Sequence, residues 1–323
     1  GWGEITVPAQ MELRGYGNPQ YTDTGYPWDG REEVEPHKVP VEENPTGCYV
    51  RNFMLPEHFI GKRIQLHFEG VETAFHCWIN GIYVGYSEDS YTPAVFDITN
   101  VVRAGENKLA VEVYRFSTGS WLEDQDFWRM GGIVREVALT AIPEVHMRDI
   151  EIAVDLKNEY TTGNADVTAY LDAVPKVLDK GGYTFYWELC DREGNVVKNG
   201  EEYPAAWVAE FSVEVESVHL WSAECPYQLF MEVRDANGTC VEAALQKVGF
   251  RKVEIHDAVL YMNGKRLLLN GVNRHEFSGR KGRAIGREEM EWDIRFLKQN
   301  NFNAVRTSHY PNAPVFMELC NEM

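Results

Sequence analysis

Two short stretches near the end of this 323-residue sequence combine residue types that can do chemistry together. Val272-Asn273-Arg274-His275-Glu276 and Arg306-Thr307-Ser308-His309-Tyr310 each hold one arginine and one histidine, and the histidines stand 34 positions apart. Imidazole, guanidinium and short hydroxyls supply hydrogen-bond donors and acceptors of the kind that a polyol requires.

Such groups need elements that deliver them to one place. Leu267–Leu269, ending at Asn270-Gly271, and Phe302–Val305 are short apolar runs that read as strands just ahead of the two polar clusters. Between them, "GREEMEWDIRFLKQNN" reads as a helix, with Met290, Ile294 and Leu297 on one face and Glu288 and Glu289 at its positive dipole end. Asn300 and Asn301 are expected to stop it. Asn312 is expected to cap a second helix carrying Val315, Phe316 and Leu319. Strand, helix, strand, helix is the opening of a parallel α/β fold. In a (β/α)8 TIM barrel the C-terminal strand ends build the active site. Adjacent strands lie about 5 Å apart, so each is expected to bring a His and an Arg to the same rim. A histidine after a strand is also often a satisfied structural residue, and Arg306 could simply pair with a barrel carboxylate. The repetition of the cluster at two matching ends favours a site over both alternatives.

The rest of the chain reads as β. In residues 1–143, "IQLHFEGVETAFHCWINGIYVGY" alternates apolar and polar residues around Asn80-Gly81, a type I′ hairpin signal, and "NKLAVEVYRF" continues the alternation. With aromatic residues at 12%, this segment suits a jelly-roll β-sandwich. Residues 144–251 hold shorter alternating strands, such as "YTFYWELCD" and "YQLFMEVRD", which suit an immunoglobulin-like sandwich. Residues 252–323 would then be the start of the barrel, well short of a closed domain. The sequence does not begin with Met, and the chain is expected to be part of a longer protein.

Charge and composition exclude several partners. The formal net charge is −19. It is concentrated before Lys252, where 20 Lys+Arg face 41 Asp+Glu, against 11 and 9 afterwards. An acidic front of that size repels phosphate backbones and anionic lipid, which argues against nucleic acid. No apolar run approaches 18 residues, which argues against a membrane helix. Six scattered cysteines without a CxxC suit reduced thiols, and hence a cytoplasmic protein.

The motifs themselves carry a resemblance. "NGVNRHE" and "NNFNAVRTSHYPN", together with "ENPTGCY" at 43–49 and "SWLEDQDFWRMGGIVREV" at 120–137, resemble the bacterial β-galactosidases of glycoside hydrolase family 2. The resemblance covers essentially the whole chain. Related β-glucuronidases share RTSHYP, whereas "NRHE" and "LEDQDFWRM" look like the galactosidase branch. It implies that His275 and His309 contact galactosyl hydroxyls and stabilise the distorted transition state. It also implies that Asp126 reaches the sugar and a sodium ion beside its 6-hydroxyl, and that Asn44 is a further sugar contact. Arg306 is expected to orient a catalytic carboxylate. The implied substrate is a terminal β-D-galactoside such as lactose. The alternatives are another specificity in the family (β-glucuronidase or β-mannosidase) or a non-catalytic carbohydrate-binding module.

Bond cleavage by such retaining enzymes needs two carboxylates about 5–5.5 Å apart. The resemblance places these two glutamates and the magnesium ligands in later barrel strands, outside this sequence. Asn321-Glu322 imitates the acid/base dipeptide of the clan but falls on the second helix rather than at a strand end, so Glu322 is rejected as catalytic. This stretch therefore carries part of a substrate pocket and no cleaving carboxylate, and by itself it is expected to be inactive. Barrel enzymes with attached sandwiches often form symmetric oligomers, and a homo-oligomer is expected of the full-length protein.

Overall fold

The computed structural model describes residues 2–178, 182–222 and 225–323, and these divide into two compact units. One comprises 1–141 together with 271–319. The other comprises 142–270 together with 320–323. The strands at 253–266, assigned to the barrel segment in the sequence reading, thus group with the central unit, while the residues carrying the polar clusters group with the N-terminal sandwich.

In the first unit, four antiparallel strands lie in the order Thr46–Leu55, Gly105–Tyr114, Ala74–Ile79 and Ile82–Glu88. Three more lie in the order Val137–Ile142, Arg63–Phe68 and Ala94–Asp97. The alternation seen in the sequence is physical here: along Arg63–Phe68, Ile64, Leu66 and Phe68 are buried and the residues between them are not. These side chains meet Phe75, Cys77, Ile79, Val111 and Val113 in one apolar core. Ile79 pairs with Ile82 across Asn80 and Gly81, whose φ values of 53° and 82° are the left-handed pair that a type I′ turn demands. This is the jelly-roll sandwich.

In the second unit, a three-stranded sheet of Val145–Lys157, Thr162–Ala173 and Val208–Glu216 accompanies a four-stranded sheet of Val196–Glu202, Thr184–Cys190, Tyr227–Arg234 and Cys240–Val248. Phe185, Leu189, Leu229, Met231 and Phe250 fill its core. The three-plus-four arrangement is immunoglobulin-like. No disulfide joins cysteines among the described residues, and no helix among them is long and apolar enough to cross a membrane.

The barrel start differs from the sequence reading in detail. The first strand is Gly271–Arg274, not Leu267–Leu269. Leu268 and Leu269 are each 65% exposed, and Leu267 donates its N–H to Leu260 at the end of the preceding hairpin. The apolar triplet misled because parallel pairing starts only where the chains can approach. A Cβ on Gly271 would lie 2.9 Å from the Ala304 carbonyl oxygen, so glycine opens the strand. The second strand is Ala304–Thr307 rather than Phe302–Val305. Asn301 at φ 60° and the bond from the Phe302 N–H to the Leu297 carbonyl make these residues the C-terminal cap of the Arg287–Gln299 helix. Asn312 does not cap the Pro314–Glu322 helix. Its side chain accepts from Arg274 at 2.7 Å and donates to the Tyr310 carbonyl. Proline at the first helical position needs no N–H partner. The two strands are parallel, with Gly271 opposite Ala304 and Arg274 opposite Thr307.

Candidate functional site

That register sets the site. Because Arg274 and Thr307 are opposite strand ends, His275 leaves the first strand directly and His309 leaves the second after one residue. The two imidazoles meet edge to face with ring centroids 5.7 Å apart. Both are exposed, and both are followed by buried neighbours, Glu276 and Tyr310. His275 also lies 6.0 Å from the Tyr310 ring.

The loop of the "LEDQDFWRM" motif comes to the same place. Gln125 donates to the His309 carbonyl at 3.0 Å. Asp126, one residue on, is exposed and accepts a hydrogen bond from the Tyr21 hydroxyl. That bond pushes the Tyr21 pKa up. Arg129 ties the loop down, donating to Asp124 and to the Glu123 and Gln125 carbonyls. The Glu123 carboxyl in turn accepts from the Ser90 N–H and hydroxyl, at 2.8 and 2.7 Å.

Partial burial pulls the His275 pKa below its ordinary value of 6.5, and the nearby His309 and Arg283 pull in the same direction, while the Asp126 charge opposes them. A neutral ring offers one donor and one acceptor nitrogen to sugar hydroxyls, whereas an imidazolium offers donors only. The lowered folded-state pKa means the unfolded chain binds more protons in the window just below pH 6.5. His275 therefore contributes stability above that window and loses it as the pH falls through it. Asp126→Asn removes the opposing charge, so the His275 midpoint moves lower still. Histidine-labelled NMR titration of the 323-residue chain checks this, and an upward move would contradict it.

The remaining candidates fall differently. Arg306 is exposed, 3.5 Å from the Asn273 side-chain oxygen. Arg274, read as a second rim arginine, is not on the rim. It is 7% exposed and donates to Asp293 on the first helix at 2.8 Å and to Asn312 at 2.7 Å, with its guanidinium 4.1 Å over the Phe316 ring. Successive side chains on a strand alternate faces, and Arg274 falls on the helix-covered one. Asn44 makes a reciprocal pair with the Phe116 backbone, donating to its carbonyl and accepting its N–H, both at 2.9 Å. This pins the 44–46 loop to the sandwich. Glu322 ends the Pro314–Glu322 helix.

The sodium reading rests on Asp126 alone in this chain. A hard cation takes several oxygen ligands, and one Asp126 oxygen already accepts from Tyr21. No group of three or more His, Cys, Asp or Glu side chains suited to a metal occurs among the described residues. Asp126 fits as a single oxygen ligand of such an ion.

Sequence reasoning missed the buried charges behind the rim. Glu72, 2% exposed, accepts from Arg283, from Gln10 at 2.7 Å and from Tyr91 at 2.6 Å. Burial pulls the Arg283 pKa down, but the Glu72 carboxylate together with Tyr91 and Tyr310 more than offsets this, so the net shift is upward. Arg135 meets Glu276 at 3.0 Å. Nothing in local periodicity marks partners 211 and 141 positions apart.

Comparison with known proteins agrees with this architecture. Three family models match consecutive stretches: the sugar-binding domain of glycosyl hydrolases family 2 at residues 3–143, the family 2 domain at 145–251, and the family 2 TIM barrel domain at 253–323. The chain belongs to glycoside hydrolase family 2. It is 47% identical to a β-galactosidase of Halalkalibacterium halodurans, over 99% of this chain and 32% of that protein. It is 46% identical to a β-galactosidase of Clostridium acetobutylicum, over 98% of this chain and 35% of that one. The chain thus spans about a third of the length of these curated relatives. Among solved structures, β-glucuronidase 2 of Bacteroides uniformis matches with a TM-score of 0.81 at 23% identity, over 99% of this chain and 38% of that one. A β-glycosidase of Bacteroides vulgatus matches with a TM-score of 0.79 at 23% identity, over 99% and 39%. At that identity the structural matches speak for the fold.

Proposed function

We propose that this chain is the front part of a retaining β-galactosidase that hydrolyses terminal β-D-galactosides. The observation that carries the reading is the meeting of three sequence-distant pieces at one rim: His275 and His309 at 5.7 Å, and the Gln125–Asp126 loop bonded to the His309 backbone. The identity of 42–47% to proteins named β-galactosidase supports galactose as the sugar.

In this reading the chain's residues bind and orient. His275 and His309 hydrogen-bond hydroxyls of the galactosyl ring, and these bonds tighten as the ring flattens toward the oxocarbenium-like state. Asp126 accepts from a hydroxyl and would supply one oxygen ligand to a sodium ion. Arg306, exposed at the strand end, orients a carboxylate contributed by a later strand. The resemblance implies that the nucleophile, the acid/base and the magnesium ligands would come from later barrel strands, where magnesium would supply positive charge. A cytoplasmic homo-oligomer is part of the same proposal, supported by the free-thiol cysteine pattern and by the habit of multidomain barrel enzymes to pack symmetrically.

A panel of aryl glycosides tests it. The full-length protein is expected to turn over the β-D-galactoside at least about 10²-fold faster than the β-glucuronide or β-mannoside, a gap that misplaced polar contacts readily produce. A preference for the glucuronide would replace the substrate, and binding without turnover of any glycoside would point to a carbohydrate-binding module. The 323-residue chain alone is expected to turn over none of them.

A further inference from the structure

The two rim histidines are exposed side chains at the ends of a two-stranded sheet, yet their function demands placement to within a fraction of an ångström. Something other than their own packing must hold them. The residue after each is buried and fully engaged. Glu276 accepts from the Ala313 N–H at 2.9 Å through one carboxylate oxygen, and from Arg135 Nε and Nη2 at 3.2 and 3.0 Å through the other. Its own N–H donates to the Tyr310 hydroxyl at 3.1 Å. Tyr310 stacks on Tyr91 with ring centroids 4.2 Å apart.

Arg135 closes the circuit. It comes from the jelly roll, just after the Gly132–Ile133 strand, and its guanidinium donates to the Pro311 carbonyl and the Tyr91 carbonyl, each at 2.7 Å, as well as to Glu276. One buried cation therefore grips the loop after the first strand through Glu276 and the loop after the second through Pro311. Gly70 leaves its side chain room, since a Cβ there would lie 2.9 Å from Arg135 Cδ. Side chains at Arg135 and Glu276 are 7% and 3% exposed, so neither can touch a sugar.

We propose that the buried Arg135–Glu276 pair is a positioning device that sets the separation and facing of His275 and His309. It rests on the galactosidase reading only for what the histidines bind. The geometric claim stands apart from it.

A purely structural ion pair would behave differently from a positioning one, and a double substitution separates them. Arg135→Met or Glu276→Met alone strands a buried charge and lowers the melting temperature of the protein. Arg135→Met with Glu276→Met removes both charges at similar volume, which generally restores stability. In the full-length enzyme the double variant is expected to regain most of the melting temperature while kcat on the aryl β-galactoside stays down about 10²-fold, the size of effect that a misplacement near 1 Å produces. The inhibition constant for free galactose, a ground-state ligand, is expected to change far less than kcat. Recovery of kcat together with stability would overturn the proposal. If the panel selects another glycoside, the same comparison runs on that substrate. A readout independent of activity is the nuclear Overhauser contact between the His275 and His309 rings in the 323-residue chain. It is expected in the parent sequence and lost in the double variant, and its persistence in a folded double variant would also overturn the proposal.

Discussion

His275→Ala or His309→Ala in the full-length enzyme is expected to lower kcat/KM on an aryl β-galactoside by about 10²–10³-fold, the scale seen when one preorganised donor to a developing charge is removed. The two rings meet edge to face with centroids 5.7 Å apart, and in the proposed reading each holds a different hydroxyl of one sugar ring. In the proposed galactosidase reading their contribution is concentrated in the transition state, because the hydroxyl contacts would shorten as the ring flattens. The affinity for a transition-state mimic is therefore expected to fall in step with kcat/KM, and the affinity for galactose much less. Equal losses in both would mean uniform binding and would remove the histidines from the chemistry. The full-length chain is the material for this measurement, since the cleaving carboxylates are assigned to its later strands.

Arg283→Met in the 323-residue chain is expected to cost about 3–5 kcal/mol in denaturant unfolding, because it leaves a buried carboxylate without its cation. Arg283 is 3% exposed and does more than pair with Glu72. Its second nitrogen donates to the Trp128 carbonyl at 2.6 Å, its backbone N–H to Gln10 at 3.2 Å, and its guanidinium lies 4.3 Å over the Phe127 ring. The N-terminal segment, the Glu72 turn, the 127–129 strand and the barrel start are thus held by one side chain. The chain has two compact units, so the loss is expected in one of two unfolding transitions rather than in a single merged one. Pairing the change with Glu72→Gln is expected to return a large part of it. A cost below about 1 kcal/mol, as for an exposed pair, would show that water reaches Glu72 and that the burial argument is wrong.

The sandwiches were legible in the sequence because their information is local. Alternation over six to nine residues and an Asn-Gly turn define a strand and its register at once, as Arg63–Phe68 and the Ile79–Ile82 hairpin show. The Arg287–Gln299 helix was equally readable from its apolar face, with Met290 and Ile294 buried. The barrel strands were not, since each is only four residues long and too short to show an alternation. Leu267–Leu269 offered more apolar surface than Gly271–Arg274, yet pairing geometry chose the latter. The histidines could be named from residue type and the resemblance. Their supports could not, because Arg135 and Glu72 look in sequence like any other surface charges, and only their distant partners make burial tolerable.

The distance along the chain between those partners has a temporal side. Glu72 is synthesised 211 residues before Arg283, and Arg135 precedes Glu276 by 141. At about 5–20 residues per second on the ribosome, the first interval is about 10–40 s. A carboxylate destined for an almost dry interior waits that long for its counter-ion, and must stay hydrated meanwhile. The jelly roll precedes the barrel's opening segment along the chain and cannot seal the side where Glu72 and Arg135 lie until that segment arrives. The rim that carries His275 and His309 accordingly becomes solid only after the segment with Glu276 and Arg283 has been made.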